Sequence, residues 1–487
     1  MPKPGFDFEP PPRERRIYCN RTLNLRAIEA IGFDMDYTLV HYQAQEWERY
    51  AYQGLRHRLA GRGWPVSRLR FDPGFAVLGL ILDLHTGNVV KADRFGYVKQ
   101  ACHGTVQLDF DQQRSLYSRV LVDLGEPRWR FLNTLFSLSE ACMYAQLVEL
   151  LDGGRLPAPM DYAELHRVVR SSLDEAHAEG DIKDRIASRP DRFVTLDEEL
   201  PLALLDARRA GKRLVLITNS EWSYTRDMMA YAFDRFLPQG TGWRDLFDLK
   251  IVEARKPGFF TEEAPVFELV DEEGHLLPRS GRLRDGGVYL GGHAGLVERH
   301  FGLRGEQILY VGDHIYADVQ VSKRVQRWRT ALIVRALEQE LLALQAFQES
   351  QRRLSDLMAR KEQLEHRQAW LRLQLQRTKG GYGPPSQLSA RRIESHLGRL
   401  RGDLARLDRA LTPLAQAHSG LANPRWGLLM RAGNDKSHLA RQIEQYADVY
   451  TSRVSNLLLA TPFAYFRAGR TTLPHDVVPV ADWDSEV

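Results

Sequence analysis

The chain has 487 residues, 43% hydrophobic and 27% charged, with 67 Lys and Arg against 63 Asp and Glu. That length accommodates two or three domains with large cores, and the composition is that of a soluble globular protein. A net charge of only +4 argues against a dedicated nucleic-acid binder.

Three cysteines, Cys19, Cys102 and Cys142, are far apart, form no metal-ligand spacing and suggest a reducing compartment. The opening MPKPGFDFEPPPRERR lacks the apolar stretch of a signal peptide, and no apolar run approaches a membrane span. The expectation is a cytoplasmic protein with no membrane partner.

Residues 1–16, rich in proline and charge, read as an arm or a tail. Ala30 to Phe33 read as a short buried strand running into Asp34-Met35-Asp36-Tyr37-Thr38-Leu39. A helix is expected over 43–62, strands and turns over 75–107, and helices over 129–152, 161–180 and 198–210. The apolar run Arg213 to Ile217 reads as a second strand, ending in Thr218-Asn219-Ser220 before a helical pattern. More than 170 residues separate the two strands. A βαβ crossover needs about a dozen, so 43–195 reads as an inserted domain. Leu249 to Val252, Gln307 to Val311 and Thr330 to Val334 are further strands, separated by helical stretches. This is the pattern of an α/β fold with a doubly wound sheet. The core is then 17–42 with 196–335, followed by a helical region over 336–487.

In that last region Ile393, Leu397, Leu400, Leu404, Leu407, Leu411 and Leu414 recur at alternating spacings of four and three, a heptad seam. A less regular helix covers about 336–377, and the breaker KGGYGPP separates the two. The spacing predicts a helical hairpin over about 336–418. Arg391, Arg392, Arg399, Arg401, Arg406 and Arg409 decorate its second arm, either as a solvated face or as a partner surface.

Four pieces carry the chemistry, each at a strand end, where open α/β sheets bind ligands. Asp34 and Asp36 are two carboxylates so close that a cation or a shared proton must compensate them. Thr218-Asn219-Ser220 suits a phosphate at a helix start, or is a plain N-cap. Lys256, in Glu253-Ala254-Arg255-Lys256-Pro257, is a cation that could offset charge on a transferring group, or an ordinary surface lysine. Asp313 and Asp318 lie in Val311-Gly312-Asp313-His314-Ile315-Tyr316-Ala317-Asp318. The four aspartates sum to −4, which Lys256 alone does not balance and a divalent cation largely would.

Asp-x-Asp-x-Thr-Leu after a strand resembles the first motif of the haloacid dehalogenase (HAD) superfamily. The strings GFDMDYTL, ITNSEWSYTRDMMAYAFD, EARKPGFF and VGDHIYAD resemble the four motifs of its cytosolic purine 5'-nucleotidases, the IMP/GMP-specific type. The resemblance runs from Asn20-Arg21 to Pro474-His475 and implies a HAD core with an inserted α+β cap at 43–195. It implies Asp34 as nucleophile, Asp36 as general acid and base, and Thr218, Asn219 and Lys256 as catalytic partners. Mg²⁺ would be held by Asp34, the Asp36 carbonyl and Asp313, with Asp318 in support. RFLNTLFSLSE is similar to a segment that stacks on the purine, with Phe136 at the stacking position and Ser137 where well-known members carry asparagine. Arg170, Asp174, His177 and Lys183 match positions that hold the base and the sugar-phosphate, and Ser220 joins them. The spacing of Arg170, Asp174 and His177 puts all three on one helix face.

The resemblance further implies a homo-oligomer, tetramer or dimer, activated by a nucleoside triphosphate at Asn133, Tyr316, Arg324, Gln442 and Tyr446. It also implies phosphoryl transfer to nucleosides. The competing readings are a HAD phosphatase for another small ester and a non-catalytic scaffold that uses the hairpin.

Overall fold

The structure is a computed structural model. It describes residues 10–178, 181–272, 274–279 and 282–469, with the backbone alone at 176–178 and 181–182. Residues 1–9 of the expected arm and Pro474-His475 lie outside the described residues. The chain divides into two compact units.

The first unit comprises 1–54, 173–335 and 441–487. It is built on a ten-stranded sheet among the described residues. At its centre lies Ala30–Phe33, paired in parallel with Ile308–Gly312 on one side and Arg213–Ile217 on the other. Leu249–Val252 and then Val288–Gly291 continue the parallel run beyond Arg213–Ile217. Arg329–Ile333 and Val449–Thr451 continue it beyond Ile308–Gly312. Ala30–Phe33, Leu249–Val252 and Ile308–Gly312 are buried along their whole length. Continuous apolar sequence is what a strand covered on both faces requires. Antiparallel strands close both edges: Tyr18–Cys19 at one, Val266–Leu269 and Leu276–Arg279 at the other.

The second unit comprises 55–172 and 336–440. Its five-stranded antiparallel sheet runs in the order Val106–Gln107, Val98–His103, Asn88–Ala92, Ile81–Asp83, Trp129–Phe131. The helices Gln348–Gly380 and Ala390–Ser419 form the hairpin. Ile393, Leu397, Leu400, Leu407 and Leu411 are buried along its second arm, as the heptad requires.

These units depart from the expected boundaries in three places. Residues 43–54 and 173–195 group with the core, where Val194 and Thr195 pair with Tyr42 and His41. Residues 441–469 group with the core and not with the helices that precede them. Val449–Thr451 is a core strand, and the buried Asp448 before it accepts from the Thr330 backbone N–H at 3.0 Å. Residues 336–440 group with the inserted domain instead. There the buried Lys91 donates to the carbonyls of Trp426 and Leu428 at 2.5 and 2.6 Å, and Arg425 donates to the Thr105 carbonyl at 2.6 Å. Locally, 129–152 is not one helix: Trp129–Phe131 is a strand, and the helix begins at Leu138.

Candidate active site

Because the central strands are parallel, their C-terminal ends share one edge of the sheet. Asp34, Thr218 and Asp313 follow directly on three of them. The ladder runs one bond further, from Asp34 N–H to the Val311 carbonyl and from Thr218 N–H to the Ile251 carbonyl, both 2.9 Å. After Asp34 the chain folds back sharply. The Met35 carbonyl accepts from Thr38, Leu39 and Val40, and Tyr37 takes a left-handed φ of 55°. This turn keeps Asp36 at the same edge.

Asp36 is held by hydroxyls. Ser220 Oγ donates to its Oδ2 at 2.7 Å, and Tyr42 OH donates to its Oδ1. Tyr42 in turn accepts from Tyr224 OH at 3.0 Å. Lys183 Nζ stands 3.2 Å from Ser220 Oγ and 2.7 Å from Glu221 Oε2. The Asp36 side chain therefore faces Ser220 and Tyr42. The sequence reading gives Tyr42 and Tyr224 no role: Tyr42 lies outside the four motif strings, and Tyr224, inside the second of them, meets Tyr42 only in the fold.

The N-cap reading of the second motif does not hold. Glu221 occupies the cap of the helix Trp222–Phe233. Asn219 and the Lys256 main chain form a reciprocal pair instead: Lys256 N–H to Asn219 Oδ1 at 2.6 Å, and Asn219 Nδ2 to the Lys256 carbonyl at 3.1 Å. Ala254 N–H donates to the Thr218 carbonyl, and Glu253 N–H to that of Ser220, both at 3.0 Å. These bonds hold Glu253 and Arg255 in left-handed conformations, φ 45° and 58°. Such conformations cost roughly 1–3 kcal/mol each.

Lys256 is no surface residue. It is buried, with its ammonium 2.7 Å from Asp34 Oδ1, 2.8 Å from Asp318 Oδ1 and 3.1 Å from Tyr310 OH. Asp318 sits on a six-residue π-helical turn, Ile315–Gln320. Its side chain packs so closely on Gly312 that a Cβ there would lie 2.5 Å from Oδ2. Only glycine permits that approach. Asp318 also accepts from His314 N–H at 3.1 Å.

Burial pushes the Asp34 carboxyl up to about 7, with Lys256 opposing and Asp318 and Asp36 reinforcing the rise. Asp313 is raised well above the carboxylate range, first by burial and then by Asp34 and Asp318. Lys256 is raised despite its burial because Asp318 and Asp34 flank it. One ammonium among these carboxylates leaves the site short of positive charge. Carboxylate oxygens of Asp34, Asp313 and Asp318 lie within 4.8 Å of one another. The Asp313 carboxylate accepts no hydrogen bond among the described residues. An all-oxygen set with a carboxylate to spare fits a hard divalent cation.

A family model described as the 5' nucleotidase family matches residues 17–478. The chain belongs to the 5' nucleotidase family. It is a phosphoric monoester hydrolase with an α/β fold. Human 5'-nucleotidase domain-containing protein 2 is 27% identical over 482 residues, 94% of this chain and 85% of that protein. A 5'-nucleotidase domain-containing protein of Dictyostelium discoideum is 24% identical over 476 residues, 94% of this chain and 74% of that protein. Among solved structures, the archaeal β-phosphoglucomutase from Pyrococcus sp. strain ST 04 aligns at TM-score 0.30 and 11% identity, over 63% of this chain and 86% of that one. A haloacid dehalogenase-like hydrolase from Xanthomonas campestris aligns at 0.25 and 14%, over 63% and 82%.

Within the family frame, Asp34, Asp36, Thr218, Asn219, Ser220, Lys256, Asp313, Asp318 and Lys183 come together in the first unit. Asp174 also belongs to that unit and is exposed; the side chain of His177 lies outside the described residues. Phe136, Ser137 and Arg170 belong to the second unit. Phe136 sits on a turn capped by Thr134, and Ser137 is buried. Arg170 donates to Glu140 at 3.0 Å, and the same buried carboxylate accepts from His166 at 2.8 Å. Of the effector positions, Tyr316 approaches Gln442 at 3.5 Å and meets the Tyr446 ring edge-on at 6.4 Å. Arg324 is exposed in the next helix, and Asn133 lies in the second unit. Among the described residues no helix is long and apolar enough to cross a membrane.

Proposed function

We propose that this chain is a Mg²⁺-dependent 5'-nucleotidase that hydrolyses purine nucleoside 5'-monophosphates, preferring IMP and GMP, through an aspartyl-phosphate on Asp34. Nucleosides serve as alternative phosphoryl acceptors, and the working form is a cytoplasmic homo-oligomer. The observation that carries the reading is the pairing of two differently held carboxylates: Asp34 beside the Lys256 ammonium at 2.7 Å, Asp36 between two hydroxyls.

The difference in surroundings divides the labour. Asp34 attacks phosphorus while the bond to O5' breaks, and Asp36 gives a proton to the leaving oxygen. In the second step Asp36 takes a proton from water as that water attacks phosphorus, releasing phosphate and restoring the Asp34 carboxylate. The hydroxyls of Ser220 and Tyr42 can each turn from donor to acceptor, so Asp36 keeps its position with or without its proton. Lys256 offsets charge on the transferring phosphoryl group. Asp34, the Asp36 carbonyl and Asp313, with Asp318 in support, would hold a Mg²⁺, which would supply the remaining positive charge.

For the base, Arg170 and Asp174 offer donor and acceptor groups matching the O6/N1 edge of hypoxanthine or guanine, which adenine lacks. Phe136 and Ser137 supply the stacking position, while His177 and Lys183 complete the sugar-phosphate contacts. A nucleoside triphosphate at Asn133, Tyr316, Arg324, Gln442 and Tyr446 would order the turn that carries Asp318.

Rates on IMP, GMP, AMP, pyrimidine nucleotides and sugar phosphates, each with and without Mg²⁺, test the reading. The expected result is Mg²⁺-dependent turnover with IMP and GMP fastest. Faster turnover of a sugar phosphate would make this a HAD phosphatase for another ester, and no turnover at all would favour a scaffold.

A further inference from the structure

The small charge of the whole chain conceals an uneven distribution. Residues 348–419, the helical hairpin, carry 14 Arg and Lys against 7 Asp and Glu, an excess of seven. The whole chain has an excess of only four, so everything outside the hairpin is net acidic by three.

The heptad sorts these charges by face. On the second arm, Ala390–Ser419, Ile393, Leu397, Leu400, Leu407 and Leu411 form the buried seam. Its carboxylates, Glu394, Asp403 and Asp408, all flank that seam. Two of them join the first arm, Glu394 to Lys379 at 2.6 Å and Asp408 to Lys361 at 2.7 Å. The face turned away from the seam between residues 391 and 409 holds Arg391, Arg392, Arg399, Arg406 and Arg409, all exposed, and no carboxylate. Arg392, Arg399 and Arg406 repeat every seven residues, which places them in one row about 10.5 Å apart. Among the described residues only Arg406 of these five has an ion-pair partner, Asp403.

Between the arginines on that face stand Ser395, Gly398, Gly402 and Ala405. A Cβ on Gly398 would meet nothing within 4 Å. The row is therefore an open lane whose raised features are all guanidinium groups. Arg353, Arg360 and Arg367 make a second exposed seven-residue row on the first arm, Gln348–Gly380. Large aromatic surface accompanies the charge: Trp370 is 57% exposed and Tyr382, at the hairpin tip, 49%.

A face that only needed solubility would mix both signs, as the flanks of the seam do. A regular cation row matches a regular polyanion, and exposed aromatics on the same hairpin match unstacked bases. An anionic bilayer would call for an apolar stripe along the same face, and here that stripe is small and polar. We propose that the hairpin is a docking arm for a single-stranded stretch of RNA, whose phosphates lie along the Arg392–Arg399–Arg406 row and whose bases stack on Trp370 or Tyr382.

The test uses the full chain and a labelled single-stranded RNA of about 20 nucleotides, read by fluorescence anisotropy across a salt series. Arms with duplex DNA of matched length, single-stranded DNA and anionic phospholipid vesicles distinguish the sources. The key variant is Arg392→Gln/Arg399→Gln/Arg406→Gln. A control removes the same charge elsewhere at exposed positions: Arg26→Gln/Arg209→Gln/Arg304→Gln. Each phosphate that a cation neutralises on a single strand adds about 0.7 to the log–log salt slope. The row variant should therefore bind RNA roughly tenfold more weakly or worse and should flatten that slope by about 2. The control should bind as the parent does, and both should keep the parent's helical circular dichroism and phosphatase rate. Trp370→Ala should weaken RNA binding without changing the salt slope. No RNA binding at low salt, equal losses in row and control variants, or tighter binding to vesicles, duplex DNA or single-stranded DNA than to RNA would each overturn the proposal.

Discussion

The Lys256 ammonium lies 2.7 Å from Asp34 Oδ1, and it reaches Asp318 Oδ1 at 2.8 Å in the same buried pocket of charge. One cation thus serves two carboxylates, and Asp313 gets no hydrogen bond of its own among the described residues. That imbalance should make the site's stability depend on pH and on a bound cation. Burial raises Asp34 to about 7 and Asp313 in the same direction. A carboxyl whose folded value is raised binds more protons folded than unfolded. Its contribution is present below about pH 4 and is lost as pH rises through the folded value. In a chelator, Tm should therefore fall between about pH 4 and pH 7 more steeply for the parent than for Asp313→Asn. Mg²⁺ should raise Tm by a few °C, and more near pH 7.5 than near pH 5. A Mg²⁺ shift independent of pH would show that these carboxylates do not hold it.

Tyr42 should matter although, among the described residues, its hydroxyl meets only Asp36 and Tyr224. A hydrogen bond to a charged group contributes about 1.5 kcal/mol, which is roughly tenfold in rate. Tyr42→Phe should lower kcat by about that factor with KM little changed. An unchanged kcat would leave Asp36 oriented by Ser220 alone.

Base selection is expected at Asp174. Asp174→Ala should depress kcat/KM for GMP and IMP far more than for a minimal phosphate ester such as p-nitrophenyl phosphate. Equal losses on both would move Asp174 from recognition to the fold or the chemistry.

If a triphosphate effector acts here, ATP should raise the rate, and Arg324→Ala should remove that activation while keeping the basal rate. Arg324 is exposed in the helix that follows the Asp318 turn, so its truncation leaves the site's own contacts in place. ATP that changes neither rate nor Tm would remove the effector from the account without touching the nucleotidase reading.

Much of this site is legible in the sequence because each motif abuts an apolar run. Ala30–Phe33, Arg213–Ile217 and Leu249–Val252 fall where their patterns place them, and parallel pairing carries Asp34, Thr218 and Asp313 to one edge. What stays hidden depends on contacts between distant segments. Tyr42 finds Tyr224, 182 residues away, and no local spacing announces it. Val449–Thr451 is too short to stand out as a strand, yet its pairing with Arg329–Ile333 moves the C-terminal segment into the core. The first hairpin arm reads as irregular because Lys361 and Gln368 interrupt a seam that otherwise runs through Leu354, Leu357, Leu364, Leu371 and Leu375. Lys361 is tolerated there because its ammonium reaches Asp408 on the opposite arm.

The central claim is that Asp34 is phosphorylated during turnover, and acid quenching tests it most directly. Enzyme mixed with IMP labelled in its phosphate is quenched in acid within one turnover, digested and sequenced by mass spectrometry. The account predicts a phosphoryl group on the Asp34 peptide of the parent and none on Asp34→Asn, whose turnover should fall by several orders of magnitude. An Asp34→Asn variant that keeps more than a few per cent of parental activity, or label found on another residue, would contradict it.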